Sequence, residues 1–413
     1  VKTSFPKDRI KVVLVENVHP RGVELLRDEG FTVETLPGSP DEKKLLKLVA
    51  GAHVLGIRSK TEITPAVLEA APKLLTLGCF CIGTNQVDLG DACERGVPVF
   101  NSPFSNTRSV AELTVGEVIA LYRRLLDKSS QMHTGTWDKS ADGAHEVRGR
   151  TLGLVGYGHI GSQVSVLAEA MGMRVQFFDI ISKLPLGNAR PVRSLKELLE
   201  TSDVVSLHVP ATDHTKGMIG KAQIARMRKG SYIINNARGS VVDIAALAEA
   251  LKSGHLAGAA LDVFPHEPAS KGEAFESAVR GLPNVILTPH VGGSTEEAQG
   301  AIAEDVCTKL IRYVNNGSTT GAVNVPQVDL PEQNADEGRG RRHRILHFHR
   351  NVPGVLSKMH TLIANLGANI SGEYLRTNED VGYVVLDVDP TDDAKIVQGL
   401  KQIPETIRVR ALW

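Results

Sequence analysis

Residues 151–161 read TLGLVGYGHIG, and the reading of this stretch decides the fold. Thr151–Val155 is a short apolar run, Gly156, Gly158 and Gly161 follow at once, and a helical pattern opens on the last of them. In that order the first glycine permits a tight turn, the second lets backbone approach a pyrophosphate, and the third lets helix pack on strand. The N–H groups that a helix leaves unpaired at its start then face the phosphates. Glycine pairs also mark plain turns, so the surroundings matter. The next apolar run, RVQFF at 174–178, ends on Asp179, about twenty residues after the glycines, where an acid accepts the ribose hydroxyls of NAD and repels the extra phosphate of NADP. Strand, glycines, helix and acid in register favour an NAD site over a glycine turn with a surface aspartate.

On either side of this stretch, short apolar runs alternate with amphipathic segments. Upstream, strands are expected at Val12–Glu16, Phe31–Thr35, Val54–Ile57, Leu75–Cys79 and Val97–Phe100, with a helix over 20–29 and a longer one between Asn106 and Lys128. Downstream, they are expected near 151–155, 174–178, 203–207, 231–234, 258–263 and 285–288, before a helix at 295–313. This rhythm predicts parallel βαβ units with right-handed crossovers. The expected fold is α/β: a discontinuous substrate domain (1–105 and 294–330) and an NAD domain (106–293), both doubly wound. Residues 331–342 read as a linker containing Gly338 and Gly340. Beyond it, strand 343–349, helix 353–365, strands 369–377 and 381–388, helix 392–402 and strand 406–412 give the βαββαβ order of a ferredoxin-like domain over 343–413. Asn351 is a candidate cap for the first helix, with Pro353 in its first turn.

The bulk composition is compatible with this plan. A chain of 413 residues exceeds one ordinary core, and 42% hydrophobic with 23% charged residues is the make-up of a globular protein. The 47 basic and 47 acidic side chains cancel, leaving no global field for nucleic acid or an anionic membrane. RGRRHR at 339–344 is the densest basic run, but no aromatic platform adjoins it. Cys79, Cys81, Cys93 and Cys307 make no C-x-x-C pair and suit small buried apolar groups in a reducing compartment. No apolar run has membrane-spanning length, and no metal site is expected, so the cytoplasm is the default.

Three further motifs lie just past expected strand ends, the face on which open α/β sheets bind ligands. They are NNARGSVVD with Arg238, DVFPHEP with Glu267, and LTPHVGGST with His290. Taken singly, each has a plainer reading: a surface ion pair, a solvated loop acid, a histidine satisfied by backbone. Together they suit oxidation of a secondary alcohol. Histidine takes the hydroxyl proton at working pH, a carboxylate orients its ring, and a guanidinium grips a substrate carboxylate while polarising the forming carbonyl.

With GYGHIG, these motifs resemble the D-isomer-specific 2-hydroxyacid dehydrogenase family from about residue 10 to 325. The resemblance implies Arg238 as substrate anchor, His290 as acid/base and Glu267 as its partner. It sets His159, Ile160, His208, Pro210, Ala237, Asp262 and Gly292 against NAD, and turns the N–H groups of Ile82 and Gly83 toward the substrate carboxylate. IRSKT, GCFCIGTNQVD, FNSPFSNTRSVAE and KLPLGNA resemble the branch that oxidises D-3-phosphoglycerate to 3-phosphohydroxypyruvate at the entry to serine synthesis. That branch implies Arg58, Lys60 and Asn106 around the substrate and Lys139 contributed by a neighbouring subunit. Relatives often carry a lysine in the loop matching LPGSP, where Pro37 stands here.

Residues 343–413 resemble an ACT regulatory domain. HFHRNVPGVL and LGANI imply His349 and Asn351 as contacts to L-serine from one chain and Asn369 from another, within a homotetramer. Inhibition by serine through the Gly338–Gly340 hinge follows from the same likeness. The rival readings are a dehydrogenase for glycerate, lactate or 2-hydroxyglutarate, and an NAD-sensing protein of the transcriptional corepressor type.

Overall fold

Apolar runs too short for helices form the strands of the computed structural model, which describes residues 5–268, 272–331, 343–389 and 393–412. Two compact units result: Val1–Ser105 with Gly300–Trp413, and Asn106–Gln299.

In the first unit, β1 (Lys11–Leu14), β2 (Thr32–Thr35), β3 (Val54–Ile57), β4 (Thr76–Cys79) and β5 (Val99–Asn101) form a parallel sheet in the order β2-β1-β3-β4-β5. Every residue of β3, β4 and β5 is buried, as a sheet covered on both faces requires. The strand order reverses between β1 and β3, so the loops after β1, β3 and β4 gather at a switch point. These loops carry Glu16, Arg58 with Lys60, and Ile82 with Gly83.

In the second unit, β6 (Thr151–Val155), β7 (Arg174–Phe178), β8 (Arg190–Pro191), β9 (Val204–Leu207), β10 (Ser231–Asn235), β11 (Leu256–Leu261) and β12 (Val285–Leu287) take the order β12-β11-β10-β9-β6-β7-β8, all parallel. The reversal falls between β6 and β9, directly below the glycine turn. Leu207, Ile233, Leu247 and Ala259 in its core are wholly excluded from water. Each larger side chain so buried contributes on the order of 2 kcal/mol.

The C-terminal strands β13 (His343–Arg350), β14 (Ile370–Thr377), β15 (Val381–Val388) and β16 (Thr406–Leu412) make an antiparallel sheet, β14-β15-β13-β16. With helices Val355–Asn365 and Asp393–Lys401 this is the expected βαββαβ order. Within the first unit the sheet shares a core with the helix Glu296–Asn316: Phe348 stacks on Tyr383 at 4.0 Å, and the Tyr383 hydroxyl donates to Gly317 O at 2.7 Å. Buried Arg344 binds both oxygens of Asp387 at 2.7 and 2.8 Å and reaches the carbonyls of Asn316, Leu330 and Pro331.

The α/β class and its two kinds of domain match the expectation, while several details differ. The helix expected from Asn106 to Lys128 is two, Thr107–Arg123 and Leu125–His133, because Arg124 takes a left-handed conformation (φ 49°) and ends the first. β8 is a two-residue strand with no apolar run to announce it. Asn351 does not cap the helix after β13; Gly354 (φ 91°) holds the N-cap position and the Asn351 side chain donates to Asn378 O at 2.7 Å. Gly338, Gly340 and Arg339–Arg342 lie outside the described residues. The four cysteines are unpaired, and burial pushes the thiols of Cys81 and Cys307 up to about 11 and about 12. Among the described residues, no helix is long and apolar enough to cross a membrane.

Candidate active site

The dinucleotide site of the second unit follows from three glycines in different surroundings. Gly156 follows β6 at φ 94°, and a Cβ there would fall 2.4 Å from His208 O. At Gly161 a Cβ would fall 2.3 Å from Gly156 O, so the helix His159–Ala170 can pack on the turn only without a side chain. Gly158, the N-cap, is exposed and a Cβ on it would meet nothing within 4 Å. Open space at the start of a twelve-residue helix, beside exposed His159 and half-buried Ile160, fits a pyrophosphate.

Asp179 follows β7. One carboxylate oxygen accepts from Tyr157 N at 2.8 Å and the other from Ile181 N at 3.0 Å, which fixes the carboxylate and leaves each oxygen a lone pair for a ribose hydroxyl. His208 and Pro210 follow β9. Nε2 of His208 bonds Ser206 Oγ at 2.9 Å, Nδ1 has no hydrogen-bond partner among the described residues, and enclosure of the ring lowers its pKa to about 4. The imidazole is therefore neutral at working pH. Pro210 is exposed beside it. These groups fit NAD.

Beyond β10, the buried Asn235 side chain shapes the Arg238 turn, donating to Arg238 O at 3.0 Å and accepting from Ala237 N at 3.2 Å. Half-buried Arg238 donates from Nη1 to Ala237 O at 2.7 Å. Beyond β11, Asp262 is 2% exposed and accepts three hydrogen bonds: from Thr288 Oγ1 at 2.6 Å, Val291 N at 2.7 Å and Gly292 N at 2.7 Å. It thus holds the loop after β12, on which His290 stands at φ 55°. A histidine in the left-handed region persists only where its neighbours determine it. His290 Nδ1 meets Glu267 Oε2 at 2.9 Å, and Glu267 Oε1 accepts from Phe264 N at 3.1 Å. With Nδ1 committed to the carboxylate, Nε2 remains to accept or release a proton.

Two polar residues behind these turns, Asn236 and Glu117, are not singled out as functional by the sequence. Asn236 donates to Glu117 Oε2 at 2.7 Å and to Thr114 Oγ1 at 3.1 Å. Burial pushes the Glu117 carboxyl up to about 7, aided by the charge of Asp262 and opposed by the Asn236 hydrogen bond. The signal was periodicity: Val110, Ala111, Thr114, Val118 and Leu121 mark the buried face of the helix, and Glu117 lies on it. Asn106 begins that helix, 6% exposed, with Gly293 packed against its side chain.

In the first unit, Arg58 is half-buried and Lys60 exposed, and no ion pair engages either among the described residues. Cys81–Gly83 are held by Ser102 N on Cys81 O at 3.1 Å and by Asn101 Nδ2 on Ile82 O at 2.6 Å. Lys139, in the second unit, is exposed. In the C-terminal sheet His349 is 3% exposed, with Nδ1 on Arg350 O at 2.8 Å, whereas Asn351 and Asn369 are exposed. His349 pairs with Gly382 at one end of β15, and Asn369 lies beside Asp389 past the other end, about 20 Å away at the rise of a strand. One chain does not bring these residues together.

A glycine-turn dinucleotide fold with an Arg, Glu and His at its strand ends defines an oxidoreductase of 2-hydroxy acids. Residues 115–292 match the family described as D-isomer specific 2-hydroxyacid dehydrogenase, NAD binding domain, and residues 345–410 match an AHAS small subunit-like ACT domain. The D-lactate dehydrogenase of Aquifex aeolicus, solved with NAD and lactic acid, is 28% identical, covers 76% of this chain and 100% of its own, and superposes with a TM-score of 0.65. Several relatives span the whole chain, among them two named D-3-phosphoglycerate dehydrogenase. That of Haemophilus influenzae is 51% identical across 100% of this chain and 99% of its own. That of Escherichia coli K12 is 51% identical across 100% of both. The chain belongs to the D-isomer-specific 2-hydroxyacid dehydrogenase family and is an NAD-dependent member of it that carries an ACT domain.

Proposed function

We propose that this enzyme oxidises D-3-phosphoglycerate to 3-phosphohydroxypyruvate in the cytoplasm, as a homotetramer inhibited by L-serine. The observation that carries the chemistry is the His290–Glu267 pair, 2.9 Å apart, with His290 on a loop that Asp262 holds in place. Gly156, Gly158, Gly161 and Asp179 would hold NAD, which would supply the hydride acceptor. His290 Nε2 takes the hydroxyl proton as the carbonyl forms and returns it in the reverse direction. Glu267 fixes the ring through Nδ1 and stabilises the imidazolium. Arg238 grips the substrate carboxylate and polarises the carbonyl oxygen. Backbone N–H groups of Ile82 and Gly83 add to that grip; among the described residues no hydrogen bond occupies them.

Arg58 and Lys60 supply cationic donors for the substrate phosphate, with Asn106 nearby in sequence to the turn that precedes the helix and Lys139 supplied by a neighbouring copy. The full-length relatives' shared name and the absence of an acid partner for either cation among the described residues support this reading. Serine sensing is supported by the matched ACT domain and by the 349–369 separation, which calls for a second chain to complete each effector site.

The test follows NADH absorbance with 3-phosphohydroxypyruvate while L-serine is titrated. Rapid oxidation that serine suppresses is expected. Activity indifferent to serine overturns the effector assignment at His349, Asn351 and Asn369 and leaves the enzyme. Turnover confined to unphosphorylated keto acids overturns the assignment of Arg58 and Lys60.

A further inference from the structure

Glu16 is an acid where the proposed substrate phosphate would least tolerate one. It directly follows β1 and Val15, at the switch point of the first sheet, and it is only 8% exposed. Its carboxylate accepts three backbone hydrogen bonds from a single loop. Oε1 takes Thr61 N at 2.8 Å and Arg58 N at 3.2 Å, and Oε2 takes Lys60 N at 3.0 Å. The residue itself sits in the left-handed region, at φ 65°, with Asn17 after it at φ 51°. A non-glycine backbone held there reflects surroundings that determine it.

The opposite polarity of the same loop is held from the other side. Gln86 Nε2 donates to Arg58 O at 2.6 Å and reaches Gly83 O at 3.3 Å, tying the Arg58 loop to the loop that carries Ile82 and Gly83. Ser39 Oγ and Thr61 Oγ1, 2.9 Å apart, close the far end. Hydrogen bonds to a carboxylate are stronger than those between neutral groups, and three on one acid leave the loop little freedom. The chain bends at Ser59 and Lys60, and the amides of residues 58, 60 and 61 all turn onto the one carboxylate. Glu16 therefore fixes the backbone from which the Arg58 and Lys60 side chains both spring. The amide dipoles also offset the carboxylate charge that would otherwise repel an anion.

We infer that Glu16, with Gln86 opposite it, is the positioning residue of the phosphate subsite: it sets Arg58 and Lys60 and thereby selects phosphorylated over unphosphorylated substrates. This inference rests on the proposed role of Arg58 and Lys60 and adds to it what places them. Glu16 touches neither substrate nor cofactor.

The experiment compares E16Q, Q86L and R58M with the unaltered enzyme on 3-phosphohydroxypyruvate and on hydroxypyruvate, which lacks the phosphate. Each variant's KM and kcat are measured, with NADH affinity by fluorescence and the melting temperature alongside. In E16Q one oxygen becomes an NH2 group facing the Lys60 amide, so the loop loses its grip while size is kept. The expected result is a KM for 3-phosphohydroxypyruvate raised roughly tenfold in E16Q and less in Q86L. In E16Q, KM for hydroxypyruvate and the affinity for NADH stay within about twofold of the unaltered enzyme, so the preference for phosphate collapses; Q86L, which also frees the Gly83 loop, loses some affinity for both substrates.

Equal losses on both substrates in E16Q, or no change in its KM ratio, overturn the inference. R58M separates the two levels of argument: if it leaves the KM ratio unchanged, the phosphate role of Arg58 itself fails. If R58M lowers the preference and E16Q does not, only the role of Glu16 fails. Should E16Q fold poorly, E16D carries the same comparison and is expected to keep part of the preference.

Discussion

Gly292 N donates to Asp262 Oδ2 at 2.7 Å, and a Cβ on Gly292 would come within 2.9 Å of that same oxygen. The acid beyond β11 and the glycine two residues after His290 are thus fitted to each other. With Val291 N and Thr288 Oγ1 on the other oxygen, Asp262 decides where the histidine loop lies. D262N puts an NH2 group against at least one backbone N–H donor, that of Gly292 or that of Val291. We expect kcat to fall ten- to a hundredfold, because small misplacements of a reacting group cost that much. Steady-state kinetics with a folded-state check by circular dichroism measures it, and a kcat within twofold of the unaltered enzyme refutes it.

Removing the acid/base group itself should cost more. H290N is expected to lower kcat by a factor of 10² to 10⁴ while NADH affinity, read by fluorescence quenching, stays unchanged. E267Q keeps the ring in place with a neutral partner and should fall between H290N and the unaltered enzyme. If E267Q matches H290N, the carboxylate does more than orient the ring.

The glycine turn makes opposite predictions at two positions three residues apart. Gly158 faces open space, so G158A should fold normally and weaken NADH binding about tenfold by filling the pyrophosphate cradle. At Gly161 the added methyl meets Gly156 O, and G161A should cost on the order of 1–3 kcal/mol of stability or more. Thermal melts and NADH titration distinguish the two. A destabilised G158A with normal affinity would contradict the assignment of the cradle.

Legibility varied with the range of the interactions. β6, β7 and β15 were readable to the residue because each is an apolar run bounded by glycine or charge. The Arg124 break was hidden, since arginine favours helix and nothing local announces a left-handed turn. The N-cap after β13 fell to Gly354, although asparagine has the higher local preference, because the Asn351 side chain is drawn to Asn378 across the sheet. Motifs exposed Arg238, Glu267 and His290. They were silent on Asp262 as the loop's anchor and on the Asn236–Glu117 contact, which spans 119 residues. Glu16 likewise bonds to amides more than forty residues on, a partnership no spacing rule encodes.

Glu117 offers a stability test with a defined sign. Its folded carboxyl titrates near 7, against an ordinary value of 4.5, so folding takes up a proton between those limits. The contribution of this group is most favourable below pH 4.5 and declines as pH rises to about 7. E117Q has no charge to bury. Relative to the unaltered protein its stability should improve by about 2–3 kcal/mol between pH 5 and pH 8, measured by urea unfolding at each. A constant difference across that range would show that Glu117 does not titrate there.

The length of β15 has a thermodynamic consequence. If the proposed effector site joins His349 of one chain to Asn369 of another, serine acts as a ligand of the assembled pair and not of the lone chain. Mass action then makes serine a crosslinker: its binding favours association, and its apparent affinity depends on how much enzyme is present. Dilution alone would weaken inhibition, and saturating serine would hold the pair together at concentrations where it otherwise separates.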